Sequence, residues 1–499
     1  MDWLSVIPPF VYIALVAFGV VLGTVAYLIL LERKVASWAQ DRIGPNRVGP
    51  WGLLQPLADG LKMFFKEDYR PGGTDKVLFT MAPAAMMLVV IVAMAVIPWG
   101  GTYRTTAEVE IRSYGKYHAE GDPVAAAKAR IPLGAEMVGQ PAPLMAGTTG
   151  VPVGSADMPY GWATYEVTYQ YAFQIANLNI GLLFLVAVLS LAVYGVVVGA
   201  WASNNKYSFM GGLRATAQMI SYEIPLGLCL LTIVLMTGTL DLGQIVEKQA
   251  HYWWGVIPAW NVFAQPLAFL IFLTCIHAEA NRSPFDLAEA EQELVGGYHT
   301  EYTSMRLGLL LMSEYAEMLV TSSVCVAVFF GGWHLPGLLG PDANHPAVTS
   351  SWAVVLLRCA VYFIKVLVVI FVFMWVRWSV PRFRFDQLMM LAWRSLIPLS
   401  LFVLLATAIA LYFAVAQDES FRSLRRIDGY TAFLLFGVNV GLLLGAMVLS
   451  RVLPPPPLTN RRIGIPGSRF SHTPVPAAGE VEAVVQTKRE PVLVGGNQP

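Results

Sequence analysis

Residues 277–302 read HAEANRSPFDLAEAEQELVGGYHTEY, an acidic segment between two long apolar segments. Arg282 is its only lysine or arginine. Its carboxylates are Glu279, Asp286, Glu289, Glu291, Glu293 and Glu301. Acids placed beside a bilayer are energetically costly and are retained where they are used. The segment therefore predicts a loop between two membrane-spanning helices, with acids that handle protons.

The composition extends this prediction to the whole chain. Of the 499 residues, 56% are hydrophobic and 13% are charged, whereas a soluble domain is about 25% charged. This composition predicts a polytopic membrane protein. The formal net charge is +0, so nothing indicates a nucleic-acid partner. The four cysteines stand far apart in apolar segments without a CxxC pair. We therefore expect no metal site and no iron–sulfur cluster in this chain.

Nine apolar segments are candidates for membrane spans, because a helix needs about 20 apolar residues to cross a bilayer. These segments are residues 8–31, 77–98, 177–200, 213–238, 259–279, 305–331, 351–376, 393–415 and 430–452. The predicted fold class is therefore an all-α polytopic membrane protein.

The lysines and arginines of the loops predict the orientation of these spans. The loop after the first span carries eight of them, from Arg33 to Lys76, whereas the loop at 332–350 carries none. The positive-inside rule then places the N-terminus outside and the C-terminal tail in the cytoplasm. The loop at 416–429 contains three arginines and runs against this assignment.

Three segments outside the spans have distinct patterns. Residues 51–66, WGLLQPLADGLKMFFK, predict an amphipathic helix in the membrane interface, with a soluble loop helix as the alternative. Residues 101–172 contain no span, and apolar residues alternate with polar or small ones in their last part, so short β-strands outside the membrane are expected. The proline-rich residues 453–499 predict a disordered tail.

These patterns divide the chain into five parts. The parts are 1–100 (two spans with the cytoplasmic loop and the amphipathic helix), 101–172 (an extracytoplasmic insert), 173–415 (the transmembrane core with the acidic cytoplasmic loop), 416–452 (an additional C-terminal transmembrane helix) and 453–499 (the tail).

Further acids lie within or beside the predicted spans: Glu32, Asp59, Glu223, Glu314 and Glu317. A carboxyl group held away from water can exchange protons near neutral pH. Glu223 is the clearest case, because it stands within AQMISYEIPLGLCLL with Pro225 two residues on. Each acid taken alone could equally cap a helix or pair with an arginine. Their number favours a functional interpretation.

The spacing of the acids predicts which of them interact. Glu314 and Glu317 are one helical turn apart and share a face. Asp286, Glu289 and Glu293 also fall on one helical face, so we expect them to titrate as a coupled set.

The sequence lacks two common motifs for binding dinucleotides and nucleotide phosphates. It contains neither a GxGxxG fingerprint nor a GxxxxGK[ST] loop. His277 is the only histidine within a predicted span, so two histidines cannot hold a haem between helices of this chain. Any redox step must therefore take its electrons from a partner.

The chain contains three long motifs: ERKVASWAQDRIGPNRVGPWGLLQPLADGLKMFFKED (32–68), ASNNKYSFMGGLRATAQMISYE (202–223) and AEANRSPFDLAEAEQELVGGYHTEY (278–302). All three resemble one family, the quinone-tunnel membrane subunits of proton-pumping NADH:quinone oxidoreductase, respiratory complex I (the H subunit of bacteria and its mitochondrial counterpart). The resemblance covers about 330 residues, from the first span through the eighth, and skips 101–172. It identifies eight spans as those of the family and the ninth, with the insert and the tail, as additions.

The resemblance implies a role for each matched residue. The chain is expected in the bacterial inner membrane among the other membrane and peripheral subunits of complex I, with quinone as substrate and no cofactor of its own. FMN and the iron–sulfur clusters belong to the partner subunits. Along the quinone tunnel the resemblance places Arg33, Arg42, Asp59, Phe64 and Arg282. Along a proton-coupling path it places Glu32, Glu223, Glu279, Asp286, Glu289, Glu291, Glu293 and Glu314, with Tyr222 and Tyr315 as neighbouring hydrogen-bond donors.

Two other functions are compatible with parts of the sequence. The homologous membrane subunit of an energy-converting hydrogenase does not need a quinone tunnel, and the intact run RIGPNRVGPWGLLQPLADGLK favours the quinone-tunnel family. A stand-alone ion transporter predicts inverted repeats, and the two halves of the sequence show no internal similarity.

Overall fold

The computed structural model describes residues 9–114, 135–138, 142–143, 160–287, 294–336, 348–417 and 427–452. The residues up to Ala446 belong to one compact unit, and Met447–Val452 are the described part of a second. The predicted tail at 453–499 and the arginines of the 416–429 loop lie outside the described residues.

Helices dominate the described chain. In order they are α1 (Pro9–Ala39), α2 (Gln55–Phe65), α3 (Lys76–Met94), α4 (Gly181–Ser190), α5 (Ala192–Ala202), α6 (Lys206–Thr237), α7 (Leu242–Gln249), α8 (Asn261–Ala264), α9 (Pro266–Glu279), α10 (Ser304–Phe329), α11 (Trp352–Ser379), α12 (Phe385–Met390), α13 (Ile397–Gln417) and α14 (Gly429–Val452). A π-helical segment, Leu391–Leu396, joins α12 to α13.

Within the described residues, seven helical segments are long and apolar enough to cross a membrane. Their lengths run from 19 to 32 residues, and at 1.5 Å per residue even the shortest approaches the thickness of a hydrocarbon core. The segments are α3, α4 with α5, α6, α10, α11, α12 with α13, and α14. The prediction of an all-α polytopic membrane protein is confirmed.

The predicted span at 259–279 is wrong as a continuous helix. The chain leaves the helical conformation at Gln265 (φ −130°, ψ 59°), between α8 and α9. The 14 residues of α9 rise only about 21 Å. The buried Gln265 side chain donates to Thr407 Oγ1 at 3.0 Å and accepts from Asn439 Nδ2 at 2.7 Å. A broken helix is tolerated at membrane depth where protein surrounds it.

The start of α6 shows why its predicted boundary, residue 213, was too late. Asn205 Oδ1 accepts from the backbone N–H of Tyr207 at 2.9 Å and so caps the helix at Lys206. The helix then continues past Pro225 and ends at Gly238, which has φ 68°. A glycine adopts that left-handed conformation without a steric penalty.

The segment at 101–172 contains the predicted strands, and they are longer than expected. Strands β1 (Thr102–Tyr114) and β4 (Tyr160–Ala172) pair in antiparallel register from Thr102 opposite Ala172 to Tyr114 opposite Tyr160. Three two-residue strands extend the sheet: β2 (Glu136–Met137) and β3 (Ala142–Pro143) on β4, and β5 (Val348–Thr349) on β1. The pairing with β5 places the sheet at the end of the bundle where α11 begins.

Long-range contacts assign the loops to two ends of the bundle. At one end, Tyr69 N–H donates to Thr303 Oγ1 at 3.2 Å, and Phe383 N–H donates to the Pro284 carbonyl, also at 3.2 Å. At the other end, Trp253 Nε1 donates to the Ile427 carbonyl at 3.0 Å. The acidic loop and the loop after α1 therefore share one end, as the charge pattern predicts. The chain preceding α14 lies at the opposite end.

Helix α2 has no buried residue. Its apolar side chains Leu57, Leu61, Phe64 and Phe65 are all exposed. An exposed apolar stripe on a short helix is typical of helices that lie in a membrane interface, and that position stays a prediction.

Candidate functional site

A cavity of about 840 Å³ opens between α1, α2, α10 and α11. Its lining contains most of the residues that the sequence resemblance places along the tunnel, namely Arg33, Arg42, Asp59 and Arg282, together with Glu32 and Glu314. Apolar side chains supply much of the rest of the wall, among them Ile29, Leu30, Met63, Met305, Leu311 and Met312. The cavity is therefore apolar along its walls and carries a few charged groups at fixed places, as ligand sites commonly do.

The loop from α1 to α2 closes one side of this cavity. Gly44 lines it with φ 74°, and a Cβ added there would lie 2.6 Å from Ser37 Oγ. Gly52 has φ 80°, and its added Cβ would lie 2.5 Å from the Pro45 carbonyl oxygen. Both positions require glycine, which explains the glycines of the run RIGPNRVGPWG.

An ion pair spans the cavity between α1 and α2. Arg33 Nη1 donates to Asp59 Oδ2 at 2.8 Å, and Gln55 Nε2 donates to Asp59 Oδ1 at 3.0 Å. Arg33 is about half exposed, so this pair adds little to stability. It places a cation and hydrogen-bonding groups at the cavity wall.

Glu32, on the next residue of α1, is buried between two arginines. Arg377 Nη1 bonds Glu32 Oε1, and Arg282 Nη1 lies 3.5 Å from Glu32 Oε2. The Arg282 guanidinium also lies 3.9 Å from the ring centre of Tyr315. Glu32 is therefore surrounded by two cations that offset the cost of burying a carboxyl group.

Glu314 takes a hydrogen bond from an aromatic hydroxyl. Tyr298 Oη donates to Glu314 Oε1 at 2.6 Å, and both side chains are buried. Tyr298 is itself fixed because its carbonyl accepts from Ser208 Oγ of α6 at 2.8 Å. The acid at the cavity wall is thus connected to the acidic loop and to α6.

Asp286 lies in the described part of the acidic loop. Arg382 Nη2 donates to its Oδ2 at 3.0 Å. Burial raises the pKa of the Asp286 carboxyl to about 6, although Arg382 opposes the shift. Its Oδ1 is buried and has no hydrogen-bond partner among the residues that the structure describes. Asp286 can therefore gain and lose a proton near neutral pH.

A second group of acids continues from Glu314 into the bundle. Glu317 follows one turn later on α10, and its charge interacts with those of Glu314 and Glu279. Glu279 interacts in turn with Glu223 of α6. Glu223 and Glu279 line a small cavity of about 10 Å³, which is the space of about one water molecule. Glu314, Glu317, Glu279 and Glu223 therefore form a row of acids that leads from the large cavity to the middle of α6.

Three predicted site residues lie outside the described part of the chain, namely Glu289, Glu291 and Glu293. Phe64 does not line the large cavity; its side chain is exposed and stacks edge-on against Phe65. Tyr315 does line the cavity, whereas Tyr222 donates to the Leu388 carbonyl at 3.0 Å. Tyr222 thus bonds a neighbouring helix rather than one of the acids.

Three polar partners of the acids were not predicted from the sequence: Arg377, Tyr298 and Ser190. Arg377 stands one residue beyond a predicted span, and an arginine at that place is a weak signal for a buried acid partner. Ser190 donates to Glu223 Oε1 from the end of α4, and no local pattern marks it.

Among the described residues, no group of three or more His, Cys, Asp or Glu side chains is arranged to hold a metal ion. The acids of the site lie one after another in space, and their partners are arginine, tyrosine and serine side chains. That arrangement is suited to moving protons and to orienting a polar ligand group.

The family model of NADH dehydrogenase matches residues 12–115 and 132–408. The chain belongs to the NADH dehydrogenase family. The resemblance seen in the three motifs is thereby confirmed. Within the family match, the unmatched internal residues are 116–131, a shorter stretch than the 101–172 segment that the motif comparison skipped. Helix α14 lies wholly beyond the matched range.

Curated members of the NADH dehydrogenase family are similar over most of this chain. A Cytophaga hutchinsonii protein, named as H subunit 1 of NADH-quinone oxidoreductase, is 42% identical over 78% of this chain and 93% of its own length. A Flavobacterium johnsoniae protein, named as the H subunit of NADH-quinone oxidoreductase, is 42% identical over 79% and 93%. The Leptospira biflexa protein of the same name is 40% identical over 82% and 96%.

Proposed function

We propose that this chain is the membrane subunit of a proton-pumping NADH:quinone oxidoreductase that forms the quinone-access tunnel and the acidic path coupling quinone reduction to proton translocation. The observation that carries this proposal is the connection between the large cavity and the row of buried acids. A single cavity has Glu32 and Glu314 in its wall, and from Glu314 the acids continue through Glu317 and Glu279 to Glu223. The chain works only within its complex, where partner subunits hold the FMN and the iron–sulfur clusters.

The dimensions and chemistry of the cavity suit a quinone. Its volume of about 840 Å³ is within the usual range of small-molecule sites. Methionine and aliphatic side chains accommodate an apolar tail, because flexible thioethers adapt to irregular shapes. Arg33 and Asp59 offer hydrogen bonds to the carbonyl and hydroxyl oxygens of a passing headgroup. The exposed aromatic end of α2, with Phe64, serves as the approach from the lipid.

Coupling follows from the change of charge at a reduced quinone. The two-electron product takes up protons, so nearby ionisable groups must release or rearrange theirs. We infer that Asp286 and the acids at Glu289, Glu291 and Glu293 respond first, and that the change passes to Glu314, Glu279 and Glu223. Each step needs only a change in electrostatic interaction between neighbouring carboxyl groups. Glu32, Arg282 and Arg377 shape the electrostatic field at the cavity.

The orientation follows from the same assignment. The end with the acidic loop faces the bacterial cytoplasm and the peripheral partner subunits, and the β-sheet end faces outward. The N-terminus is then outside and α14 brings the C-terminal tail into the cytoplasm. The sheet within 101–172 covers the outer end of the bundle and provides a surface for other membrane subunits.

Replacement of Glu223 by glutamine tests the proposal. Glu223→Gln keeps the size and one hydrogen-bond acceptor but cannot carry a proton. In membrane vesicles we expect NADH-driven quinone reduction and proton translocation to fall together, while the assembled complex still reduces its iron–sulfur clusters. Glu247→Gln on α7, at the other end of the bundle, is the matched control. Wild-type turnover and pumping in Glu223→Gln would contradict the proposed path.

A further inference from the structure

The hydroxyl group of Ser190 contacts two acceptors at once. Ser190 Oγ lies 2.9 Å from the carbonyl oxygen of Val186, one turn earlier on α4. It also makes a hydrogen bond with Glu223 Oε1 of α6. Ser190 is the last residue of α4, and Leu191 separates it from α5.

A hydroxyl group has one hydrogen to donate. When Ser190 donates to the Val186 carbonyl, the hydrogen of the second bond must come from Glu223, which is then protonated. When Glu223 is ionised it can only accept, so the Ser190 hydrogen turns to the carboxylate and the Val186 carbonyl loses its bond. The hydrogen-bond pattern of Ser190 therefore depends on whether Glu223 carries a proton.

The surroundings of Glu223 make this bond important. Leu185, Leu189 and Leu226 line the small cavity beside it. Glu279 of α9 is the titratable group that faces Glu223 there, and Glu317 of α10 interacts with Glu279 from the next helix. No ion pair involves Glu223 among the residues that the structure describes. A carboxyl group in apolar surroundings depends on its hydrogen-bond partners.

The bond between Ser190 and the Val186 carbonyl lies at the junction between α4 and α5. The Leu191 N–H bonds the Val188 carbonyl at 3.0 Å, a bond across three residues instead of four, so the chain tightens there. A serine hydroxyl that bonds the carbonyl four residues earlier bends a helix. Gain or loss of the Ser190–Val186 bond therefore changes the bend between α4 and α5.

We propose that Ser190 is a positioning residue of the proton path, which exchanges its hydrogen bond between the Val186 carbonyl and Glu223 and so links the proton on Glu223 to the α4–α5 junction. This inference rests on the proposed function. The proton leaves Glu223 through a water in the small cavity for the Glu279 carboxylate, and the Ser190 hydrogen rotates to the charge left behind. Return of the proton reverses both changes.

Infrared difference spectroscopy of the intact complex tests the bond directly. The carboxyl C=O band of Glu223 is assigned by its loss in Glu223→Gln. In Ser190→Ala we expect this band to move to higher frequency, because the carboxyl group has lost a hydrogen bond. We expect the rate of coupled quinone reduction to fall about two- to tenfold, the range that one hydrogen bond contributes. Ser190→Thr, which keeps the hydroxyl, restores both the band and the rate.

Thr232→Val is the matched control. Thr232 of α6 donates to the Leu228 carbonyl four residues earlier at 2.9 Å, as Ser190 does to Val186 in α4. This variant should leave the Glu223 band and the rate unchanged. If Ser190→Ala does not assemble, Ser190→Cys, a weaker donor, should give a smaller shift in the same direction. An unshifted band in either variant, or no band that Glu223→Gln removes, overturns the role of Ser190. Wild-type turnover in Glu223→Gln would instead contradict the acid path. In that case the position of the infrared band would still show whether Ser190 bonds Glu223.

Discussion

Replacement of Tyr298 by phenylalanine separates one hydrogen bond from the packing around it. The Tyr298 hydroxyl donates to Glu314 Oε1 at 2.6 Å, and the ring is buried. The substitution removes this hydroxyl and leaves the ring in place. The lost bond is worth about 1 kcal/mol if Glu314 is neutral and up to about 3 kcal/mol if it is charged. The protonation equilibrium of the acid depends only on the difference between these two values, up to about 2 kcal/mol, which is a factor of about 30 at 1.4 kcal/mol per factor of ten.

The assay is the rate of NADH-driven quinone reduction, measured with the proton flux in the same membrane vesicles. We expect both to fall in Tyr298→Phe by at least about fivefold. Tyr362→Phe is the matched control, because this fully buried hydroxyl also makes one bond, to the Ser323 carbonyl at 2.7 Å, with no acid involved. Both variants should lower the melting temperature similarly. Equal activity in the two variants would refute a role of the Tyr298–Glu314 bond in coupling.

Two further predictions concern Asp286 and the cavity wall. Burial raises the pKa of Asp286 from 3.8 to about 6, so its contribution to stability is complete below pH 3.8 and is lost as the pH rises through 6, by about 3 kcal/mol in all. Asp286→Asn should flatten the melting temperature of the complex over this pH window; an unchanged curve would argue against the shift. Arg33→Ala removes the exposed pair with Asp59 and should change the free energy of unfolding by less than about 1 kcal/mol. The KM for quinone should nevertheless rise in Arg33→Ala, as it should in Asp59→Ala. The double variant should have a KM no higher than that of either single variant. An unaltered KM would show that this pair does not contact the quinone.

The order of the helices was predictable because each apolar segment is long enough to identify by itself. The predicted segment 77–98 is helical as Lys76–Met94, and 305–331 is helical as Ser304–Phe329. The break at Gln265 was not predictable in the same way. A single polar residue in an apolar segment is compatible with a continuous helix, and its bonds to Thr407 and Asn439 come from distant parts of the chain.

The same limit applies to the candidate site. Glu223 and Glu314 stand out in the sequence because acids are rare in apolar segments. Their partners do not stand out. Glu32 is paired with Arg377, 345 residues away along the chain, and Glu223 is paired with a serine of another helix. Such pairs are set by how the helices pack, and a local pattern carries no information about them. Phe64 shows the converse, since its motif is intact while its side chain does not line the cavity.

The central claim is that a quinone enters the cavity between α1, α2, α10 and α11. Its most direct test is photoaffinity labelling of the intact complex with an azido-quinone, followed by mass spectrometry of the labelled peptides. We expect labels within residues 26–63 and 305–315 or at Arg282, Arg377 and Trp378, all of which line the cavity, and we expect excess quinone to suppress them. Labels confined to other parts of the chain, or labels that excess quinone does not displace, would contradict it.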